Sequence, residues 1–202
     1  NQANLQIQKL FEFHQQGDFA NVLKIALQLQ KHFPKFALAY KAAGVALNAL
    51  NRKAEAVLQM KKAVKLDPND DETLSNLGQI SVEIAKNPLE FNNAKNILKE
   101  ALQKNPKNFV ALNNLAAAYS NLGDFVNAKI YAENAIKLAP NYGIAHHTLA
   151  VIFAKTHQML KAVEHSKLAT EFSPEFVPAC VNLIQYTLDI GEAEKAAEIA
   201  DI

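Results

Sequence analysis

The sequence predicts an all-α fold, an α-solenoid of about six stacked antiparallel helix pairs, on three observations. Prolines end five similar phrases, KHFPKF, KLDPND, QKNPKN, KLAPNY and EFSPEF, at Pro34, Pro68, Pro106, Pro140 and Pro174, with spacings of 34, 38, 34 and 34 residues. A fixed period in this range marks a stacked-repeat architecture. Within each period two stretches carry apolar or small residues at three- and four-residue intervals, and none alternates with the period of two that a half-buried strand requires. A turn residue divides the two stretches, and Gly17, Asn51, Gly123, His157 and Gly191 hold that place.

The period reads as a single domain over 1–202, with repeats at about 3–36, 37–70, 71–108, 109–142, 143–176 and an incomplete 177–202. The first copy is weak, with Leu10, Phe13, Gly17, Val22 and Pro34. The third carries about four extra residues in VEIAKNPLEFNNAKN. One more helical turn on its first helix would absorb them, but Asn87-Pro88 favours an extended loop, since the residue before proline avoids the helical region. That insertion is read as a rim loop or, alternatively, as a docking knob.

The fourth copy shows the chemistry of one unit. Leu112, Leu115 and Tyr119 make the inward stripe of its first helix, and Ala116 keeps the flank small. Gly123 supplies the left-handed residue that reverses the chain, and Asp124 caps the second helix. Ala128, Ala132, Ala135, Ile136 and Leu138 form the complementary face, and Pro140 opens the next link. One unit buries only half its apolar surface, so each needs a neighbour. The closing GEAEKAAEIADI leaves Ala196, Ile199 and Ala200 without a following partner, so further helices or a second domain are expected beyond Ile202, the chain being read as a fragment. Self-association through that helix stays open.

Composition narrows the function. Half of the 202 residues are apolar, and 21 Lys plus Arg stand against 20 Asp plus Glu. Arg52 is the only arginine, which argues against phosphate or guanine recognition and so against a nucleic-acid partner. One cysteine, Cys180, excludes an internal disulfide and points to a cytoplasmic setting, the periplasm being the alternative if a signal sequence was removed. No apolar run approaches the roughly 20 residues that span a bilayer, so no membrane insertion is expected.

Chemistry-bearing groups are sparse. Four of the six histidines, His146, His147, His157 and His165, fall in the fifth copy, but their spacing assigns them to core, surface and turn, so no metal site is expected. There is no nucleophile turn, phosphate loop or dinucleotide glycine pattern, so no enzyme activity and no cofactor are expected of this chain. Cys180 and the stripe Tyr40, Tyr119 and Phe153 read as core, and Lys61, Lys62 and Lys65 as a solvated helix face.

The phrase LNNLAAAYSNLGDFVNAKIYAENAIKLAPN resembles a tetratricopeptide repeat. The second copy supplies Tyr40, Ala43, Gly44, Leu47, Ala56, Met60, Ala63 and Pro68, and the fifth His146, Leu149, Ala150, Phe153, Ala162, Ala169 and Pro174. The resemblance covers essentially the whole chain and implies a right-handed superhelix whose first helices line a concave face. With the inward Leu as reference, the groove positions are Lys41, Ala42, Ser75, Asn76, Asn113, Asn114, His147, Thr148, Val181 and Asn182, then Val45, Gln79, Ala117, Val151 and Gln185 one turn later, and Asn48, Glu83, Asn121, Lys155 and Asp189 after another. Asn76, Asn114 and Asn182 recur immediately before Leu77, Leu115 and Leu183. Amides both donate and accept, so such a row can pair with the backbone of an extended peptide. It resembles the ladder in the repeat domain of O-linked N-acetylglucosamine transferases, although Gln8 and Ala42 interrupt it, and solvation alone is the other reading. A chaperone-type carboxylate clamp is disfavoured, because Lys41 meets Val45 and Val110 stands before Asn114.

The expected function is therefore a protein-protein interaction scaffold binding an extended peptide or helix in the groove. Two alternatives stay open: the substrate-recruiting front of a larger bacterial glycosyltransferase or sulfotransferase, and an envelope or pilus-assembly repeat protein.

Overall fold

The computed structural model describes residues 2–200, and side chains within 4–200. Ile202, where the sixth copy stops in the sequence, lies outside the described residues. Among these residues the chain is all helix and turn, with no strand, as the period predicts. Two compact units form, Asn1–Pro106 and Lys107–Ile202. The first holds α1 (Gln2–Gln15), α2 (Phe19–His32), α3 (Ala37–Ala49), α4 (Lys53–Leu66), α5 (Asp71–Ile84) and α6 (Pro88–Lys104). The second holds α7 (Phe109–Asn121), α8 (Phe125–Leu138), α9 (Gly143–Lys155), α10 (Met159–Phe172), α11 (Val177–Asp189) and α12 (Ala193–Ala200). Within each unit every helix packs on its successor, and first helices of neighbouring pairs also touch, α3 with α5 and α9 with both α7 and α11.

Small residues set how closely the paired helices approach. Ala128, Ala132 and Ala135 of α8 are fully buried against α7, whose Leu115 and Ala116 are equally inaccessible. In the third pair the approach is closer still: a Cβ on Gly78 of α5 would lie 2.5 Å from Leu98 of α6. Tyr40, Tyr119 and Phe153 are core, as expected, at 5 %, 8 % and 4 % exposure. Leu138 is not. It ends α8 and is 45 % exposed, beyond the reach of the seam that Ala135 closes.

The turn residues named from the sequence all adopt the left-handed conformation: Gly17, Gly123 and Gly191 at φ 71°, 79° and 86°, and Asn51 and His157 at 59°. That backbone is what lets the second helix fold back after the first, and it strains any residue with a Cβ. Asp18 and Asp124 cap the second helices after two of these turns, and Asp70 and Asn108 cap first helices after the linkers, each accepting the amide three residues on.

The third pair corrects the expectation of an extended loop. α5 ends at Ile84, and after a three-residue link Pro88 opens α6, which at 17 residues is longer than its 14-residue counterparts α4 and α8. The insertion has become an extra turn of the second helix. Asn87 is extended, as a residue before proline prefers, and that is also the backbone of an N-cap; its Oδ1 accepts from Glu90 N at 3.0 Å while Glu90 Oε2 accepts from Lys86 N at 2.7 Å. Proline at the first helical position loses no hydrogen bond.

A recurrent contact ties each linker to the helix after it. Tyr40 Oη donates to Pro34 O at 3.1 Å, His146 Nε2 to Pro140 O at 3.0 Å, and Cys180 Sγ meets Pro174 O at 4.0 Å from the same register, where it is half-buried rather than fully core. A second tie joins neighbouring pairs. Lys41 of α3 bonds both Asp70, at 2.9 Å, and Glu72, at 2.7 Å. Burial alone would lower the Lys41 pKa, but the Glu72 and Asp70 carboxylates outweigh it and raise it. Burial would likewise raise Asp70, and its bonds to Thr73 and Lys41 instead hold it below the usual carboxylate value.

Two outcomes follow for urea unfolding followed by helical circular dichroism. His157→Gly should stabilise and Gly123→Ala destabilise the chain by roughly 1 kcal/mol each, because a Cβ at Gly123 meets no neighbour and only the backbone angle is at stake. Equal stabilities would show that the turns relax without strain. Asp70→Ala should cost about 1 kcal/mol near neutral pH. Since the folded Asp70 pKa is depressed, its contribution is whole above about pH 4 and is lost as pH falls through the lower folded value, so the variant should lose less stability than the parent across that acid range.

Candidate functional site

The residues that helix pairing does not consume lie on the first helices. In the first unit α1, α3 and α5, with Met60 of α4, line a cavity of about 240 Å³. Val45, Met60 and Ile80 give it an apolar floor, and Asn48, Asn76, Gln79, Glu72 and His14 supply its polar wall. Asn76 and Gln79 are half-buried and lie one turn apart on α5, and Gln79 Nε2 donates to Glu83 at 3.0 Å. Asn48 is half-buried too, with its Oδ1 inaccessible and unbonded. Four of these residues, Val45, Asn48, Asn76 and Gln79, are groove positions read from the sequence.

Lys41 and Ser75 are placed differently. Lys41 is held in its pair of carboxylate bonds, and Ser75 is 2 % exposed with an unbonded Oγ. His14 and Glu72 were missed, although both carried a signal. His14 stands one period of 34 residues before Asn48 and so continues that series into the weak first copy. Glu72 precedes Asn76 by four residues and therefore shares its helix face.

In the second unit the expected positions divide. Asn113 is 3 % exposed, whereas Asn114 and Asn182 are half-buried. Asn113 Oδ1 and Asn114 Nδ2 are inaccessible and without a hydrogen-bond partner. His147 is half-buried on α9, its ring edge-on to Phe176 at 5.1 Å, with an unbonded Nδ1 and a pKa lowered by burial. Burial thus favours its neutral form. Asn121 and Gln185 are exposed and satisfied locally, by Ala117 O at 2.9 Å and Asp189 at 2.8 Å.

The histidines of the fifth copy need a correction. His146 and His165 do converge, Nδ1 to Nδ1 at 3.1 Å, although 19 residues separate them. Because Pro140 O can only accept, His146 Nε2 carries the proton and its Nδ1 accepts from His165 Nδ1. The 5.4 Å between ring centres is the full reach of two imidazoles lying end to end across such a contact. A metal at roughly 2.0–2.1 Å from each nitrogen would lie off both lone-pair axes, so the pair is a hydrogen bond. Burial first, then the neighbouring His146, lowers the His165 pKa against the pull of Glu164 and Glu133. Among the described residues no three His, Cys, Asp or Glu side chains gather as metal ligands, and no helix is long and apolar enough to cross a membrane.

Comparison with known proteins follows the same geometry. The tetratricopeptide repeat family matches residues 37–70 and, separately, 97–129. No curated protein sequence matches the chain. Among solved structures, PilF of Pseudomonas aeruginosa aligns at a TM-score of 0.76 with 19% identity, over 98% of this chain and 88% of that one. TTC0263, a thermophilic TPR protein of Thermus thermophilus, aligns at 0.76 with 16% identity, over 92% and 99%. MamA of Desulfovibrio magneticus RS-1 aligns at 0.71 with 19% identity, over 87% and 97%. These identities speak for the fold alone. The chain thus carries two matched tetratricopeptide repeats, and its paired helices share the fold of the solved tetratricopeptide proteins.

Proposed function

We propose that this chain, whose repeat fold is that of a protein-interaction scaffold, binds an extended segment of a partner protein along its first-helix faces and does no chemistry on it. The observation that carries this reading is the cavity of the first unit, where amides of Asn48, Asn76 and Gln79 stand over a floor of Val45, Met60 and Ile80. Concave sites of this kind combine apolar area with a few placed polar groups. An extended backbone offers one donor and one acceptor per residue, and an amide side chain can answer both. The second unit presents similar chemistry in Asn114, His147 and Asn182.

The buried polar atoms support the same reading. Seven side-chain atoms among the described residues are inaccessible and unbonded, and three of them belong to expected groove residues that are half-buried, namely Asn48, Asn114 and His147. An unpaired buried polar group costs about 1–3 kcal/mol. Residues kept at that cost are candidates for a bond that forms only with a ligand.

Stability and binding should then move in opposite directions. Asn48→Ala combined with Asn76→Ala removes an unpaired acceptor, so urea unfolding should find the variant as stable as the parent or slightly more so. Isothermal titration with an extended peptide selected by display on the unmodified chain should show affinity reduced at least about tenfold, a loss of about 1.4 kcal/mol. Unchanged affinity, or a clear loss of stability, would make these amides structural and end this reading.

A further inference from the structure

α8 carries two stripes, of which pairing uses one. Ala128, Ala132 and Ala135 are buried, whereas Val126 and Ile130, one turn apart, are 73 % and 47 % exposed. The other repeats serve as a control. At the same two registers α4 has Ala54 and Leu58, α6 has Asn92 and Asn96, and α10 has Leu160 and Glu164. No other second helix places a large apolar side chain at both, so stacking does not require the pair.

Val126 and Ile130 border a groove of about 390 Å³ between α8 and the turn that leads into α10, floored by Ile152 and Phe153 of α9. α8 and α10 both pack on α9 and not on each other, which keeps the space open. Leu160, 75 % exposed, stands on the α10 side.

Charge arrangement indicates what fits. Lys129 and Lys161 hold their ammonium groups 5.7 and 5.3 Å from the centre of the Phe153 ring. Neither is strongly engaged: Lys129 reaches Glu133 only at 3.6 Å with both side chains about half exposed, and Lys161 bonds the neutral Gln158 at 3.1 Å. Exposed pairs of that kind contribute little. Gln158, the N-cap of α10, makes no side-chain cap bond, and the first turn of α10 has no acidic residue, so its positive end lacks a side-chain acceptor beside the two lysines. One turn along, Glu133 and Glu164 reverse the sign.

We propose that this groove is a second interaction surface, separate from the first-helix face, which takes an amphipathic helix of another protein. The apolar residues of that helix seat against the exposed Val126 and Ile130. Its carboxylate meets Lys129, Lys161 and the start of α10, and a basic residue one turn later meets Glu133 and Glu164.

A displayed library of amphipathic helical peptides, selected against the whole chain, tests this. Enriched peptides should carry an acidic residue followed one turn later by a basic one beside an apolar face. Val126→Asp with Ile130→Asp should weaken them at least about tenfold while the thermal midpoint and circular dichroism stay those of the parent. Lys129→Glu with Lys161→Glu should do the same, and a peptide with its acidic residue changed to lysine should recover the loss. Absence of enriched peptides, binding indifferent to either double variant, or no recovery with the reversed peptide would overturn the proposal. So would self-association abolished by Val126→Asp, which would assign the groove to a second copy. The Asn48 and Asn76 variants should leave these peptides unaffected, so failure here is distinguishable from failure of the first-helix reading.

Discussion

Two helices approach closely only where a small residue on one faces the side chains of the other, and the rest of this chain is arranged around that seam. Ala128, Ala132 and Ala135 are wholly buried in that seam, and Gly78 beneath Leu98 shows the limiting case, where even a methyl group would meet the opposite side chain. A stripe this narrow secures a pair but buries little area, and burial is what stabilises at roughly 25 cal/mol per Å². Each pair therefore depends on the next. The chain must reverse within a few residues, enter each helix with its free amides capped, and cross to the next pair without fraying. The left-handed turns, the aspartate and asparagine caps and the bonds from Tyr40 and His146 to the proline carbonyls answer those needs in order.

A fold that commits its small and apolar residues to the seam leaves function to what remains on the outer faces of the helices. On the first helices this remainder is amide-rich, and part of it is buried without partners. Desolvation makes that arrangement unfavourable in isolation. Lys41 marks the boundary between the two uses, because its position belongs to the groove series while its ammonium group fastens α3 to the cap of α5. A side chain so engaged steadies the wall of the cavity through Glu72, which both lines the space and accepts from Lys41.

What could be read from the sequence was local. The turn residues were legible because only a few residue types tolerate φ near 60°, and the cap of α8 because Asp124 stands just ahead of its periodic run. Asn87-Pro88 was misjudged because the same dipeptide serves a loop and a helix start; the deciding feature was Glu90, three residues on, which completes the cap from the other side. The His146–His165 bond was invisible for a different reason. It joins residues from facing helices, and no local pattern distinguishes a histidine that meets another from one that meets solvent. At the site, Asn48, Asn76 and Gln79 were legible as a register. The burial of Ser75 and Asn113 was not, since helical periodicity fixes a direction to within a sector and leaves the depth to the packing around it.

Repetition makes departures from the pattern more informative than the pattern itself. A residue that recurs at one register answers to stacking, because every pair faces the same geometric demand. A residue that occurs once answers to something else. Asn76, Asn114 and Asn182 are ambiguous by this standard, since recurrence fits both a ladder and simple solvation. Val126 and Ile130 are not ambiguous, because their equivalents are alanine, asparagine or charged residues in most copies, and two large apolar side chains exposed one turn apart carry a solubility cost that the fold does not require. Lys129 and Lys161 then gather at a ring whose own repeat needs only its bulk. Packing accounts for Phe153 and does not account for the two lysines and the exposed apolar pair around it.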